Sequence, residues 1–247
     1  MRLAKFIYHK NLDAKIWDKS GNMNMLVQNA LMMVAWGYIA YLQDNGFAIS
    51  DADIKDIFIH GSTTNYYYDH TSDIDICIVA DMARMMEKFP NTNLAVMLKA
   101  MLGSWKRNYF IKIAGRNVDI SFADVDRPFY APGYYKVGPA YSLLQEGWIR
   151  KPVRLDSKSL RVIKGRARKK YRRYARMYKI IKARKMGDLY IETFLNKINM
   201  DRERSFGIDF AQPITVETMA FRMLRHRGIT RDLRLRVRRL RSRNFNV

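Results

Sequence analysis

The chain has 247 residues, with 45 Lys plus Arg against 23 Asp plus Glu and a net charge of +22. Hydrophobic residues make up 48%, enough to bury a core in one large or two small domains, which excludes a disordered chain or a simple basic tail. One Cys and four His exclude a disulfide framework and a Cys/His zinc module. The opening residues show no continuous apolar region followed by a cleavage pattern, and the low cysteine use fits a reducing compartment, so a cytoplasmic protein is expected.

The first predicted element is a helix over residues 24–45, rich in Leu, Met and Ala and stopped by Asp44-Asn45-Gly46. It contains the longest apolar run, residues 30–42, which is shorter than the ~20 residues that span a bilayer. A buried helix is expected there, and no membrane partner. Strands are predicted over 56–60 and 73–80, and a helix over 91–105 with Asn91 or Thr92 as N-cap. A hairpin over 109–114 and 117–122 would turn at Gly115-Arg116. A short helix over 139–145 and a strand over 147–150 complete an α+β arrangement, a small mixed sheet with flanking helices, in a first domain of residues 1–154.

The composition changes at Pro152 to Ser157. Residues 158–185 hold fourteen Lys or Arg and no acid, and residues 222–243 hold ten Arg and one acid, Asp232. Helices are predicted over 159–186, 187–198, 215–227 and 230–241, so residues 155–247 form a basic all-helical region. Tyr171, Tyr174 and Tyr178 fall on one helical stripe, which reads as core packing against the first domain. Lys164, Arg166, Arg168, Lys169, Lys170, Arg172, Arg173 and Arg176 line the remaining faces. Like charges at such density repel one another along a helix, and a polyanion would relieve that. Nucleic acid is the expected partner, RNA ahead of DNA, held with a steep salt dependence.

Chemistry concentrates in His60-Gly61-Ser62, a polar stretch, and Ser72-Asp73-Ile74-Asp75-Ile76. Residues i and i+2 of a strand share a face, so Asp73 and Asp75 project together while Ile74, Ile76 and Ile78 enter the core. Paired carboxylates are tolerated where a divalent cation offsets their repulsion, and hard oxygen donors suit Mg2+ or Mn2+. Asp119, in a strand expected beside residues 73–79, supplies a third carboxylate. Three such groups can hold two metal ions about 3.5–4 Å apart. Gly61 lets the backbone approach a phosphate, and Ser62 and Thr63 can cradle a triphosphate, especially if Thr63 opens a helix. Asp124-Val125-Asp126 reads as a turn before Arg127-Pro128, Asp69 and Asp81 as loop or end residues, Cys77 as a buried small residue, and His60 and His70 as structural. Tyr66, Tyr67 and Tyr68 suit either a base platform or a loop packed on its own aromatics.

The succession of an apolar strand, Gly61-Ser62, Asp73-Ile74-Asp75 in a second strand and Asp119 in a hairpin resembles the DNA polymerase beta-like nucleotidyltransferase superfamily, over about residues 24–150. The resemblance implies a nucleoside triphosphate donor and two Mg2+ (or Mn2+) ions. It implies Asp73 and Asp75 on both ions, Asp119 on the catalytic ion and assisting deprotonation of the attacking hydroxyl, and Gly61 and Ser62 on the triphosphate. Many members carry a basic residue or glycine soon after Gly-Ser. Here no Lys or Arg stands between Ser62 and Asp73. A cation for the triphosphate would come from Lys106, Arg107 or the basic helices. The expected function is transfer of a nucleotidyl group to an acceptor hydroxyl on RNA or DNA. The alternatives are a catalytically retired relative acting as a nucleic-acid-binding scaffold, and nucleotidylation of a protein acceptor.

Overall fold

The computed structural model describes residues 7–89, 93–125, 138–184, 186–205 and 214–243. Chain contacts divide into two compact units, Ile7–Val153 and the segment from Arg154 onward.

The first unit is a mixed sheet with helices. Helix α1 (Met25–Asp44) starts where the Asn24 side chain accepts from the Leu26 N–H at 2.9 Å, and it ends before Gly46, whose φ is +83°. Leu31, Ala35, Tyr38, Ile39 and Leu42 recur at helical spacing and are buried. By length and composition α1 is the only helix, among the described residues, that could cross a membrane. Its inner stripe instead builds the core of this unit.

Strands β1 (Ile54–His60), β2 (Ile74–Ala80), β3 (Lys112–Ile113), β4 (Arg116–Asp124), β5 (Ala140–Ser142) and β6 (Gly147–Arg150) form one sheet in the order β3-β4-β2-β1-β5-β6. β2 and β4 run parallel and the other neighbours antiparallel. A parallel neighbour needs a long crossover, which α2 (Met82–Lys88) and α3 (Leu94–Asn108) lie within. One sheet face carries Ile57, Ile59, Ile74, Ile76, Ile78 and Ile120 into the core with α1 and α3. The opposite face carries a smaller cluster of Phe58, Cys77, Val79, Ala123 and Ala140.

Several expectations need correction. Residues 139–145 are not a helix: Ala140–Ser142 is β5, pairing Phe58 with Ser142 and Ile59 with Tyr141, so sheet hydrogen bonds override local propensity. The hairpin turns at Ala114-Gly115, and Arg116 already belongs to β4. α3 is capped by Asn93; Asn91 and Thr92 lie outside the described residues, as do Asp126, Arg127 and Pro128. The seven-residue α2, capped by Asp81, was not foreseen.

The second unit holds α4 (Ser157–Ala183), α5 (Asp188–Ser205), α6 (Val216–His226) and α7 (Ile229–Arg243). Asp156 caps α4 by accepting from the Lys158 and Ser159 N–H groups at 2.8 and 2.9 Å. α4 packs on α6, and α5 on both α6 and α7. Two tyrosines of the α4 stripe find partners within this unit. Tyr174 packs edge-on against Phe194 and bonds Asp201, both on α5, and Tyr178 donates to Asp232 of α7 at 2.9 Å.

Candidate active site

The site is built by strand register. β2 alternates: Ile74 and Ile76 are fully buried, while Asp75 is half-buried. In the parallel β2–β4 ladder Asp75 stands opposite Asp119, and in the antiparallel β1–β2 ladder it stands opposite His60. Cross-strand partners share a face, so His60, Asp75 and Asp119 form one row across three strands. At the usual ~4.8 Å between strands this row spans about 10 Å. Asp73 precedes β2 by one residue and is half-buried.

Gly61 closes β1 with φ +88°, and a Cβ there would overlap the Asp75 carboxylate and lie 3.3 Å from its Cγ. Only glycine combines that backbone with that approach. The residues that follow form turns, so Thr63 does not open a helix. The Gly61 carbonyl accepts from the Asn65 amide at 3.1 Å and lies 2.9 Å from the Thr64 hydroxyl, and the Asn65 N–H donates to the Ser62 carbonyl at 3.2 Å. Thr63 is fully buried and its carbonyl accepts from the Trp17 indole at 2.8 Å. Ser62 is half-buried beside Gly61.

Burial pushes the His60 pKa down to about 3, so a neutral imidazole ends the row at β1. At the other end β3 reaches only as far as the Lys112–Asn117 and Ile113–Arg116 pairs, which leaves β4 without an outer neighbour at Asp119 among the described residues. Lys106, in the last turn of α3, takes that position: its Nζ lies 2.5 Å from Asp119 Oδ1, with side-chain exposures of 42% and 54%.

Arg116 is a site residue that sequence reasoning placed in a turn and so missed. It is buried, and its Nε donates to Asp13 Oδ2 at 2.7 Å. Its Nη1 donates to the carbonyls of Asp69 and Ser72 at 2.6 and 2.9 Å. The guanidinium thereby fixes the turn that delivers Asp73. Asp69 shapes the same turn, its Oδ1 accepting from the Thr71 N–H and hydroxyl at 2.8 and 2.7 Å. Tyr68 stacks on His9 with centroids 3.9 Å apart, Tyr66 lies against Tyr8, and the Tyr67 hydroxyl contacts Asn65. Those contacts favour the self-packed loop over a base platform.

The structure therefore brings Asp75, Asp119 and the Gly61-Ser62 turn to one stretch of sheet, with Asp73 two residues ahead of Asp75. The donors are all carboxylates, hard oxygen ligands that suit a divalent cation, and the Asp75 carboxylate packs directly against the bare Gly61 backbone. Among the described residues no three His, Cys, Asp or Glu side chains are drawn together as a metal cage. Asp119 is turned to Lys106 instead.

On α4, Arg161, Arg166, Arg168, Lys169, Arg172, Arg173 and Arg176 are exposed, and Lys164 is half-buried. Lys170 differs: it bridges Glu217 at 2.9 Å and Asp201 at 3.4 Å. Burial alone would raise the Asp201 pKa, but the Tyr174 hydroxyl and Lys170 outweigh it and hold the carboxyl below its ordinary value. No protein-family model, curated protein or solved structure matches the chain at a significant level.

Proposed function

We propose that this protein is a metal-dependent nucleotidyltransferase resembling the DNA polymerase beta-like superfamily, acting on a nucleic-acid acceptor, RNA ahead of DNA. The observation that carries the reading is the register that sets Asp75 beside Asp119 with Gly61 against the Asp75 carboxylate. Asp73, Asp75 and Asp119 would hold Mg2+ or Mn2+, which supplies charge stabilisation at the attacking and leaving oxygens. Asp119 receives the proton of the acceptor hydroxyl. The hydroxyl oxygen forms a bond to the α-phosphorus, the bond from that phosphorus to the β-phosphate bridging oxygen breaks, and pyrophosphate leaves. Gly61 and Ser62 border the triphosphate, and Thr63 contributes backbone only. The outward cations of α4 hold the acceptor backbone, which positions without reading sequence.

The test is label transfer from each α-labelled triphosphate to RNA, DNA and protein pools with Mg2+. Transfer to nucleic acid is expected from wild type and a loss of at least about 100-fold from Asp75→Asn and Asp119→Asn, the scale of removing a group that stabilises transition-state charge. No transfer to any pool would overturn the reading, and transfer to protein alone would move the acceptor. A second reading, a retired relative that only binds nucleic acid, is favoured by the Lys106–Asp119 pair. It predicts salt-sensitive binding indifferent to Mg2+ and triphosphate.

A further inference from the structure

We infer that Lys106 is the triphosphate-binding cation of this site and, before loading, the counter-ion that occupies Asp119. The inference rests on the catalytic reading above and adds to it the cation that the sequence withholds between Ser62 and Asp73.

Three observations carry it. Lys106 Nζ lies 2.5 Å from Asp119 Oδ1, so the ammonium already stands on the row of Asp75 and Asp119. Among the described residues the Asp119 carboxylate is the partner shown for the Lys106 ammonium, which is 42% exposed on a flexible four-carbon stem. Lys106 and Arg107 end α3, where the helix C-terminus favours a cation and gives the ammonium a fixed base to pivot from.

Electrostatics sets the order of events. A carboxylate shared between an ammonium and a divalent cation binds either one less tightly, since the two cations repel. Lys106 therefore yields Asp119 when a divalent cation is loaded. The row spans only about 10 Å, so the released ammonium finds the triphosphate as its nearest remaining anion. Lys106 competes with the metal and cooperates with the nucleotide. A purely structural salt bridge would share the competition but not the cooperation, so its loss would leave the nucleotide affinity unchanged.

The experiment measures two affinities on the full-length protein. Free Mn2+ is followed by electron paramagnetic resonance without nucleotide, and then a non-hydrolysable nucleoside triphosphate analogue is titrated at saturating Mn2+. Lys106→Met is expected to bind Mn2+ about two- to fivefold more tightly, the fold-change of an exposed ion pair removed. The same variant should bind the analogue roughly tenfold more weakly, as when a charge-assisted contact is lost. Lys106→Arg should restore most of the analogue affinity. Equal Mn2+ affinity in wild type and Lys106→Met, unchanged analogue affinity in that variant, or a parallel loss of both affinities would overturn the inference. Absence of Mn2+ binding by wild type would instead overturn the metal-dependent reading beneath it. Thermal unfolding of both variants should match wild type, because the pair is exposed.

Discussion

Asp119 and Arg172 are both charged and both exposed on regular elements, yet their positions are fixed in different ways. Asp119 owes its place to the backbone: parallel register with β2 sets it opposite Asp75, and a one-residue slip would turn it to the other face. Arg172 is one of many interchangeable cations that α4 turns away from its buried stripe. In the helical unit Asp201 and Asp232 accept from the hydroxyls of Tyr174 and Tyr178, while most cations of α4 face out and Lys170 is drawn to acids. Charge in the sheet unit works by address, and charge in the helical unit works by density. A site that must place reacting atoms requires the first arrangement, and a surface that must grip a repeating backbone tolerates the second.

The largest expected effect strikes the addressed charges. Arg116→Met removes a buried guanidinium and leaves Asp13 and two carbonyls without their donor. Breaking a buried pair this way costs about 3–5 kcal/mol. An exposed cation such as Arg172 should cost less than about 0.5 kcal/mol when changed to Ala. Urea unfolding of the two variants measures the contrast. Equal losses would break the distinction between the units.

A smaller effect, confined to acid, belongs to His60. Its folded pKa of about 3 lies below the ordinary 6.5, so the folded state holds the neutral ring. The stability this represents is complete above about pH 6.5 and is lost as pH falls toward 3. The carboxylates with lowered values, Asp53, Asp156, Asp201 and Asp232, act only around and below their ordinary value of 3.8. Loss of stability between pH 6.5 and 4 is therefore His60's signature, and His60→Gln should flatten unfolding free energy in that window. A slope that persists in the variant would assign the window to another group.

What could be read from the sequence follows the range of the forces involved. α1 and β2 were legible because periodic burial is written locally, in the stripe from Leu31 to Leu42 and in the alternation of Ile74, Asp75 and Ile76. Asp73, Asp75 and Gly61 could be singled out because a motif of nearby residues carries them. β5 was not legible: three residues become a strand only because β1 offers an edge some eighty residues away in the chain. Arg116 was hidden for the same reason, its partner Asp13 being 103 residues distant. His60 joined the row of carboxylates through pairing register, which no local pattern states. On α4 the cations were visible in composition, but Lys170 was separated from its neighbours only by the fold, which brings Glu217 and Asp201 to it.

Lys170 also yields the finest test of charge by density. Each outward cation of α4 that neutralises a phosphate should contribute about 0.7–0.9 to the slope of log affinity against log salt. Arg172→Ala is expected to lower that slope by one such increment on single-stranded RNA, and Arg168→Ala by the same amount, because the face has no privileged member. Lys170→Ala should leave the slope unchanged and instead lower the melting temperature, since Glu217 and Asp201 lose a shared partner inside the unit. Filter binding over a salt series, paired with thermal unfolding, separates the two behaviours. If Lys170→Ala cuts the slope as far as Arg172→Ala does, the inward pairing does not hold Lys170 back from the polyanion. If one arginine alone accounts for the whole slope, the helical unit is an addressed site after all.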